Sequence, residues 1–360
     1  MNLNVLILPG DGIGVEVTHE AVKVLRRVAA KYNHTLELSE GLLGGVAIHR
    51  CGTPLPQETV DLAQKADATL MGAVGLPEFD NAPPDQRPER GLLGLRKVLG
   101  VFANLRPVRT YPSLLDSSPL KNDRIAGTDM IIVRELTGGI YYGTPRGIFG
   151  EGAEERAVNT MSYTRPEIER VARVAMSLAR NRRRKVTSVD KSNVLENSQL
   201  WRKVVVEIAA EYPDIELDHL LVDNCAMQLV LNPRRFDVLL TENLFGDILS
   251  DEGAVLAGSI GMLPSASLGD KRASGAWTGL YEPVHGSAPD LAGRNEANPL
   301  AAIGSVAAML EYSFGLKNES ASVNRAIEAV IESGRVTGDL KPAGKPATTS
   351  EVGDAVAFLV

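Results

Sequence analysis

Cysteine is scarce in this sequence, and Cys51 and Cys225 are the only two among 360 residues. Two cysteines are too few for the disulfide framework of a small secreted protein or for a cysteine-rich metal centre. Their scarcity favours a protein that works in a reducing compartment, so the expected location is cytoplasmic.

Positive charge and long apolar runs are also lacking. The formal net charge is −7 and the sequence pI is about 5.4, which argues against a nucleic acid or an anionic membrane as the main partner. The uncharged segment 253–269 is broken by glycines and by Pro264. The opening MNLNVLILPGDGIG has no basic region before its short apolar run and is typical of a first strand. We expect no nucleic-acid partner and no membrane partner.

Length and hydrophobic periodicity indicate an α/β protein of two domains, because 360 residues is long for one core. Short β-prone runs alternate with amphipathic stretches. The predicted strands are Leu3–Leu8, Thr69–Val74, Met130–Val133, Val186–Val189 and Phe236–Leu240. The predicted helices include a stretch carrying Val17 to Val28, then Arg165–Leu178, Trp201–Ala210, Leu244–Leu256 and most of the last sixty residues.

The first turn, GDGIG at 10–14, invites comparison with a Rossmann dinucleotide-binding turn. The third glycine of that fingerprint would fall at Val15, and no acidic residue suited to a ribose is evident about twenty residues later. The pattern therefore favours a tight strand-to-helix connection.

An acidic pair lies where an apolar core segment is expected. Asp247 and Asp251 are four residues apart on the helix predicted after Phe236–Leu240, so they share one face. No Lys or Arg lies between Asn243 and Gly258 to offset their repulsion. A hard cation such as Mg²⁺ or Mn²⁺ would neutralise them; an ordinary solvated acidic face is the alternative.

Other candidates lie beside glycine-rich turns and strand ends. Arg96, Arg106 and Arg134 are suited to grip a dicarboxylic substrate, although surface arginines are common. Tyr141 follows a Gly-Gly turn and could donate a proton, or could simply pack. Lys191 follows a predicted buried strand and is either a general base or part of a structural ion pair.

Two further segments complete the pattern. A strand is predicted to end in VDNCAMQLV, residues 222–230, where Asp223 adds a third carboxylate. Residues 263–299 are rich in Gly, Pro and Ala, which predicts a long functional or disordered loop.

Seven segments together carry a family resemblance. They are GDGIG (10–14), GLLGLRKVLGVFANLRP (91–107), VRELTGGIYYG (133–143), TSVDKSNVLE (187–196), VDNCAMQLV (222–230), NLFGDILSDE (243–252) and EPVHGSAPDLAG (282–293). In this order they resemble the motifs of the β-decarboxylating dehydrogenases, the isocitrate/isopropylmalate dehydrogenase family. Within it, the sequence looks like the members that act on 3-isopropylmalate, over essentially the whole chain.

The resemblance implies an α/β fold distinct from the Rossmann fold, in which two α/β domains share a mixed sheet. Residues 1–102 and 259–360 would form a discontinuous cofactor-binding domain. Residues 103–258 would form a domain for substrate, metal and the dimer interface. A homodimer with active sites shared between subunits follows from the same resemblance.

The resemblance also implies the reaction: NAD-dependent oxidative decarboxylation of 3-isopropylmalate to 4-methyl-2-oxopentanoate and CO₂, in leucine biosynthesis. Asp247 and Asp251 would bind Mg²⁺ or Mn²⁺ from one subunit, and Asp223 would join them from the other, together with Lys191. The three arginines and Asp223 would bind substrate. Lys191 would remove the alcohol proton and Tyr141 would protonate the enol carbon.

Cofactor and substrate choice are assigned in the same way. A carboxylate at Asp290 suits the adenosine ribose hydroxyls and would repel a 2′-phosphate, which favours NAD over NADP. The other expected cofactor-binding residues are Ile13, Val74, Glu89, Glu282, His285, Gly286, Ser287, Ala288 and Asn298. Leu92, with Leu93, would form an apolar wall for the isopropyl group, whereas Arg90 could meet an extra carboxylate.

Three alternatives stay open from the sequence. Sister enzymes acting on tartrate, homoisocitrate or isocitrate share the same catalytic groups. A metal-dependent phosphohydrolase could use aspartates and arginines, but the sequence has no G-K-[ST] motif. A non-catalytic metal- or nucleotide-binding protein would also carry these patterns.

Overall fold

The computed structural model describes residues 1–83 and 86–360. The chain divides into two compact units. Unit 1 comprises Met1–Val101, Tyr111–Pro119 and Ala257–Val360, and unit 2 comprises Phe102–Thr110 and Leu120–Leu256. Both units combine strands and helices, so the α/β class is confirmed. The division of labour between a cofactor domain and a substrate domain stays a prediction.

In the described part of unit 1, five strands form a mixed sheet. They are β1 (Asn2–Gly10), β2 (Thr35–Glu40), β3 (Ala68–Ala73), β11 (Pro264–Lys271) and β12 (Trp277–Pro283). Their order in the sheet is β2-β1-β3-β12-β11. Neighbours pair in parallel except β11, which runs antiparallel to β12. Every residue of β3 is buried, as expected for a central parallel strand covered on both faces.

Helices cover this sheet. They are α1 (Gly14–Lys31), α2 (Gly45–Cys51), α3 (Gln57–Lys65), α4 (Pro88–Leu99), α10 (Leu300–Tyr312), α11 (Lys317–Glu332) and α12 (Thr349–Leu359). α10 is apolar and buried along most of its length, whereas α1 buries one face. A capping box of Thr348 and Glu351 begins α12.

The described part of unit 2 also contains five strands of a mixed sheet. They are β4 (Ala103–Arg109), β5 (Asp129–Glu135), β8 (Lys185–Asp190), β9 (Glu216–Leu221) and β10 (Val238–Thr241). Their order in the sheet is β4-β5-β10-β8-β9. β4 is antiparallel to β5, and the remaining pairs are parallel. A separate exposed hairpin consists of β6 (Arg146–Phe149) and β7 (Arg156–Asn159).

The described helices of unit 2 are α5 (Asn122–Ile125), α6 (Arg165–Arg180), α7 (Glu196–Ala209), α8 (Val222–Leu231) and α9 (Asn243–Ala257). The predicted helix at Arg165–Leu178 is confirmed, with Pro166 in its first turn and a capping box of Thr164 and Glu167. α9 confirms that Asp247 and Asp251 lie one helical turn apart.

Two predictions from the sequence are wrong. Residues 222–230 do not end a strand: β9 ends at Leu221, and Val222–Leu231 is a helix. Asp223 therefore lies in the first turn of α8. Residues 263–299 are not one long loop, because they contain the hairpin of β11 and β12. Arg272 anchors that hairpin by donating to Asp67 at 2.7 Å and to the carbonyl of Ser313 at 2.9 Å.

None of the helices in the described parts of the chain combines the length and the apolar character needed to cross a bilayer. The basic run 180–185 pairs with acidic side chains: Arg180 with Asp214, Arg182 with Asp237, and Lys185 with Glu216.

Candidate active site

The acidic face of α9 is neutralised by two arginines from other elements of unit 2. Arg134, at the end of β5, donates to Oδ1 of Asp247. On β4, Nη1 of Arg106 lies 3.5 Å from Oδ1 of Asp251 and Nη2 lies 3.9 Å from Oδ1 of Asp247. The helix has no positive residue of its own near these aspartates, so the positive charge comes from arginines on β4 and β5.

Both arginines are buried, and hydrogen bonds to neighbouring side chains fix their orientations. Arg106 donates through Nε to Asn104 at 2.8 Å and through Nη1 to Ser250 at 2.6 Å. Arg134 donates through Nε and Nη2 to Oδ1 of Asn243, at 3.1 and 2.9 Å. Because burial and these bonds fix the guanidinium planes, the pair forms a preorganised carboxylate-binding surface.

Tyr141 lies at the same place. Its hydroxyl donates to Oδ2 of Asp247 at 2.9 Å, and the Arg134 guanidinium lies 5.9 Å from its ring centroid. Partial burial, followed by the hydrogen bond to Asp247, raises the pKa of Tyr141 to about 12. The phenol is therefore protonated at neutral pH, as a proton donor must be.

The donors on α9 fit a hard divalent cation. Carboxylate oxygens are the ligands that Mg²⁺ and Mn²⁺ prefer, and the Asp247 and Asp251 side chains are 34% and 64% exposed, so an ion can reach them. Among the residues that the structure describes, no group of three or more His, Cys, Asp or Glu side chains is placed to hold a metal. A single chain therefore offers two carboxylates, those of Asp247 and Asp251, which would hold the cation.

Lys191 and Asp223 form a second cluster in unit 2. Nζ of Lys191 lies 2.8 Å from Oδ1 of Asp223, and this hydrogen bond is the main cause of the lowered pKa of Asp223. The backbone N–H of Lys191 donates to Ser198 at 3.1 Å. The preceding residue, Asp190, is buried and accepts two hydrogen bonds from Arg202, at 2.8 and 3.0 Å. These hydrogen bonds hold the backbone at the end of β8, directly before the Lys191 side chain.

In unit 1, Arg96 of α4 pairs with Glu282 of β12, with Nη2 of Arg96 2.8 Å from Oε1 of Glu282. The sequence assigned the arginine to substrate and the glutamate to the cofactor. Glu89, in the first turn of α4, lies near Gly75, where a built Cβ would be 3.2 Å from its Oε1. Leu92 packs with Val74 against the apolar cluster around Leu43 and Leu95.

Asp11 lies among the predicted coenzyme-side segments, and the sequence analysis did not single it out. Its buried carboxylate accepts hydrogen bonds from the backbone N–H groups of Gly45 and Val46, both at 2.8 Å, and of Gly75 at 2.9 Å. It thereby joins the turn after β1 to the start of α2 and to the loop after β3. The acidic residue within GDGIG was visible in the sequence, but its partners were not.

The segment around Ser287 joins the same assembly. The N–H of Ile13 donates to the Ser287 carbonyl at 2.7 Å, and Oγ of Ser287 donates to the Gly75 carbonyl at 2.6 Å. Gly12 has φ +57°, and a Cβ there would lie 2.1 Å from that Ser287 carbonyl. Only glycine fits, so the second glycine of the turn serves this close approach rather than a Rossmann fingerprint.

The remaining predicted adenosine-side residues lie on one stretch of unit 1. Nδ1 of His285 donates to the Gly286 carbonyl at 2.8 Å, which leaves the buried Nε2 as an acceptor with no partner among the described residues. Gly286, Ala288 and Asp290 are exposed, and Asn298 donates to Asp339 at 3.0 Å. The buried acceptor of His285, together with exposed backbone and the exposed carboxylate of Asp290 in the same segment, fits an adenosine with its amino group and ribose hydroxyls.

Comparisons with known proteins agree with this geometry. A family model described as isocitrate/isopropylmalate dehydrogenase matches residues 4–356. The 3-isopropylmalate dehydrogenase of Halalkalibacterium halodurans is 56% identical over 99% of this chain and 97% of its own. That of Aquifex aeolicus is 53% identical over 94% of this chain and 92% of its own.

Solved structures share the fold. The isocitrate dehydrogenase of Methylococcus capsulatus superposes with a TM-score of 0.86 at 35% identity, covering 99% of both chains. A β-decarboxylating dehydrogenase of Thermococcus kodakarensis gives 0.80 at 36% identity, covering 99% of this chain and 96% of its own. The fold expected from the sequence is confirmed, and the chain belongs to the isocitrate/isopropylmalate dehydrogenase family.

Proposed function

We propose that the protein catalyses the oxidative decarboxylation of 3-isopropylmalate with NAD and Mg²⁺ or Mn²⁺, as a cytoplasmic enzyme of leucine biosynthesis. The observation that carries the proposal is the convergence on Asp247 of the Tyr141 hydroxyl and the buried guanidinium of Arg134, one turn from Asp251. Relatives named 3-isopropylmalate dehydrogenase at 52–56% identity support the substrate.

Each proposed site residue has a separate role in this reaction. Arg106 and Arg134 bind and orient substrate carboxylate, while Arg96 of unit 1 is proposed as a further carboxylate ligand. Lys191 would accept the proton of the C2 hydroxyl, and bound NAD⁺ would take up the C2 hydrogen as hydride. The bond from C3 to its carboxylate then breaks, CO₂ departs, and Tyr141 donates its hydroxyl proton to C3.

Asp247 and Asp251 would hold a divalent cation, whose Lewis acidity would lower the pKa of the alcohol and offset the negative charge left by decarboxylation. Asp290 determines the coenzyme, because an exposed carboxylate suits ribose hydroxyls and repels a 2′-phosphate. Leu92 would contact the isopropyl group.

We also propose a homodimer with shared sites. Helices α8 and α9 expose large apolar side chains, with Met227 and Ile248 each 59% exposed and Leu231 50% exposed. Such exposed side chains on the two helices that carry Asp223, Asp247 and Asp251 are typical of an interface. In a dimer, the cluster of Lys191 and Asp223 from one subunit would complete the pair of Asp247 and Asp251 on the other.

The test is initial-rate NADH formation with Mg²⁺ and NAD⁺ on 3-isopropylmalate, isocitrate, homoisocitrate, tartrate and malate. We expect the highest kcat/KM with 3-isopropylmalate, loss of the rate with EDTA, and recovery with Mn²⁺. Asp247→Asn should abolish the metal-dependent rate, whereas Asp61→Asn, on the exposed face of α3, should not. Preference for another acid would refute the substrate assignment and make Arg90 the next residue to change.

A further inference from the structure

Tyr163, in the segment between β7 and α6, is buried with 7% exposure and uses its hydroxyl twice. The hydroxyl donates to Oε2 of Glu242 at 2.9 Å. It also accepts a hydrogen bond from the backbone N–H of Asn243 at 3.0 Å. Since Asn243 is the first residue of α9, this one oxygen is bonded directly to the start of the helix that carries Asp247.

The ring of Tyr163 supports the turn that carries Tyr141. A Cβ on Gly138 would lie 2.6 Å from Cε1 of the ring, and a Cβ on Gly139 would lie 2.3 Å from the hydroxyl oxygen. Gly139 also has φ +75°, which disfavours other residues. The Gly-Gly turn is therefore in direct contact with the tyrosine, two residues before Tyr141.

Asn243 connects the two contacts. Its Oδ1 accepts both hydrogen bonds from Arg134, and its Nδ2 donates to the Gly138 carbonyl at 3.1 Å. On the other side of the turn, the buried Glu135 carboxylate accepts from the N–H groups of Thr137 at 2.9 Å and Gly138 at 2.8 Å. The turn, the substrate arginine and the start of α9 thus form one hydrogen-bonded assembly around Tyr163.

We propose that Tyr163 is a positioning residue that sets the placement of Tyr141 relative to Asp247. The proposal rests on the proposed function, in which Tyr141 donates the proton to C3 after CO₂ has left. Loss of the Tyr163 hydroxyl frees the start of α9 and the Gly138–Gly139 turn. Proton delivery to carbon then suffers, whereas coenzyme binding in unit 1 does not.

The experiment compares Tyr163→Phe with Tyr281→Phe, a control in unit 1 whose fully buried hydroxyl bonds to Ser313 at 2.7 Å. Each change removes one buried phenolic oxygen and keeps the ring. For Tyr163→Phe we expect kcat to fall at least about tenfold with KM for NAD⁺ within about twofold, the pattern of an interaction used in the chemical steps. Equal, small effects of both substitutions would refute the proposal.

The stereochemistry of protonation at C3 can be measured, and a loss of protein stability alone would not change it. Turnover in ²H₂O, with immediate reduction of the product, should place deuterium on one face of C3 in the wild-type enzyme. Tyr163→Phe should label both faces, because enol that leaves without a proton from Tyr141 is protonated in solvent. Retained single-face labelling would overturn the positioning role.

Two further measurements separate this proposal from the proposed function. The crystal structure of Tyr163→Phe should show the hydrogen bond from Tyr141 to Asp247 broken, and an unchanged bond overturns the proposal whatever the enzyme's substrate. If Tyr163→Phe does not fold, Gly139→Ala should displace the same turn and give the same kinetic and isotopic pattern. Absence of NADH formation by the wild-type protein would instead refute the proposed function.

Discussion

Nζ of Lys191 lies 2.8 Å from Oδ1 of Asp223, and among the described residues Asp223 forms no metal-holding group with Asp247 and Asp251. The Asp223 side chain is 63% exposed, so a second subunit can reach it. The bond holds the two side chains together, as the proposed shared site requires.

Complementation between subunits is the first prediction. Lys191→Ala and Asp247→Asn should each be inactive as homodimers. A hybrid dimer of the two, isolated through different affinity tags, has one intact site if the sites are shared and should show about half of the wild-type rate. An inactive hybrid would place each active site within one chain.

Asp11→Asn should weaken coenzyme binding. Asparagine offers one acceptor oxygen in place of two, and its NH₂ group would face a backbone N–H, which costs about 1–3 kcal/mol. We expect the dissociation constant for NADH, followed by fluorescence, to rise at least about fivefold. Binding of 3-isopropylmalate with Mn²⁺ serves as the control and should change little. Unaltered NADH affinity would contradict a role for Asp11 in coenzyme binding.

Leu92→Ala should reduce selectivity for the alkyl group, and Leu99→Ala supplies a matched control. Both leucines lie on α4 and pack, partly buried, against the same apolar cluster. Both variants should lose stability, but only Leu92→Ala should lower kcat/KM for 3-isopropylmalate relative to malate, by about tenfold, given about 0.8 kcal/mol per buried methylene. Equal effects on the two substrates would remove Leu92 from the pocket.

Asp290→Asn should relax coenzyme choice, because it removes the charge that repels a 2′-phosphate while keeping the size of the side chain. We expect the ratio of kcat/KM for NADP⁺ to that for NAD⁺ to rise at least about tenfold. Glu296→Gln, a nearby exposed acid, is the control and should leave the ratio unchanged. An unaltered ratio for Asp290→Asn would place coenzyme discrimination elsewhere.

His219 should contribute to acid sensitivity. Burial, and then Arg202, lowers the pKa of His219 from its ordinary 6.5, with Asp190 and Asp218 opposing. As the pH falls below that value, the unfolded chain binds the proton first, so the free energy of unfolding decreases by up to about 1.4 kcal/mol per pH unit. Denaturant titrations between about pH 7.5 and 5.5 should show a shallower decline for His219→Leu. Parallel declines would show that His219 titrates alike in both states.

Local patterns made part of this structure predictable. The helix at Arg165–Arg180 follows from its apolar spacing and Pro166, and the shared face of Asp247 and Asp251 follows from a separation of four residues. A strand is predicted to end in residues 222–230, whereas β9 ends at Leu221 and Val222–Leu231 is a helix. Hydrophobic periodicity does not distinguish strand from helix in so short an apolar run.

Most contacts of the candidate site could not be predicted, because they join residues that are far apart in the sequence. Asp11 binds backbone groups 34 and 64 residues away, and Arg134 meets an aspartate 113 residues away. Asn104 could have been inferred, since it lies two residues before Arg106 on the same face of β4. Tyr163 could not, because its partners at Gly139 and Asn243 carry no pattern that refers to it.

The backbone character of the Asp11 contacts bears on how this enzyme can change during evolution. Asp11 holds Gly45, Val46 and Gly75 through N–H groups, so the side chains beside them are free to vary while the loop geometry persists. Leu76 illustrates this freedom, because it occupies the space left by the missing side chain of Gly45. Substitutions in these loops can therefore accumulate one at a time while the backbone framework around Asp11 persists.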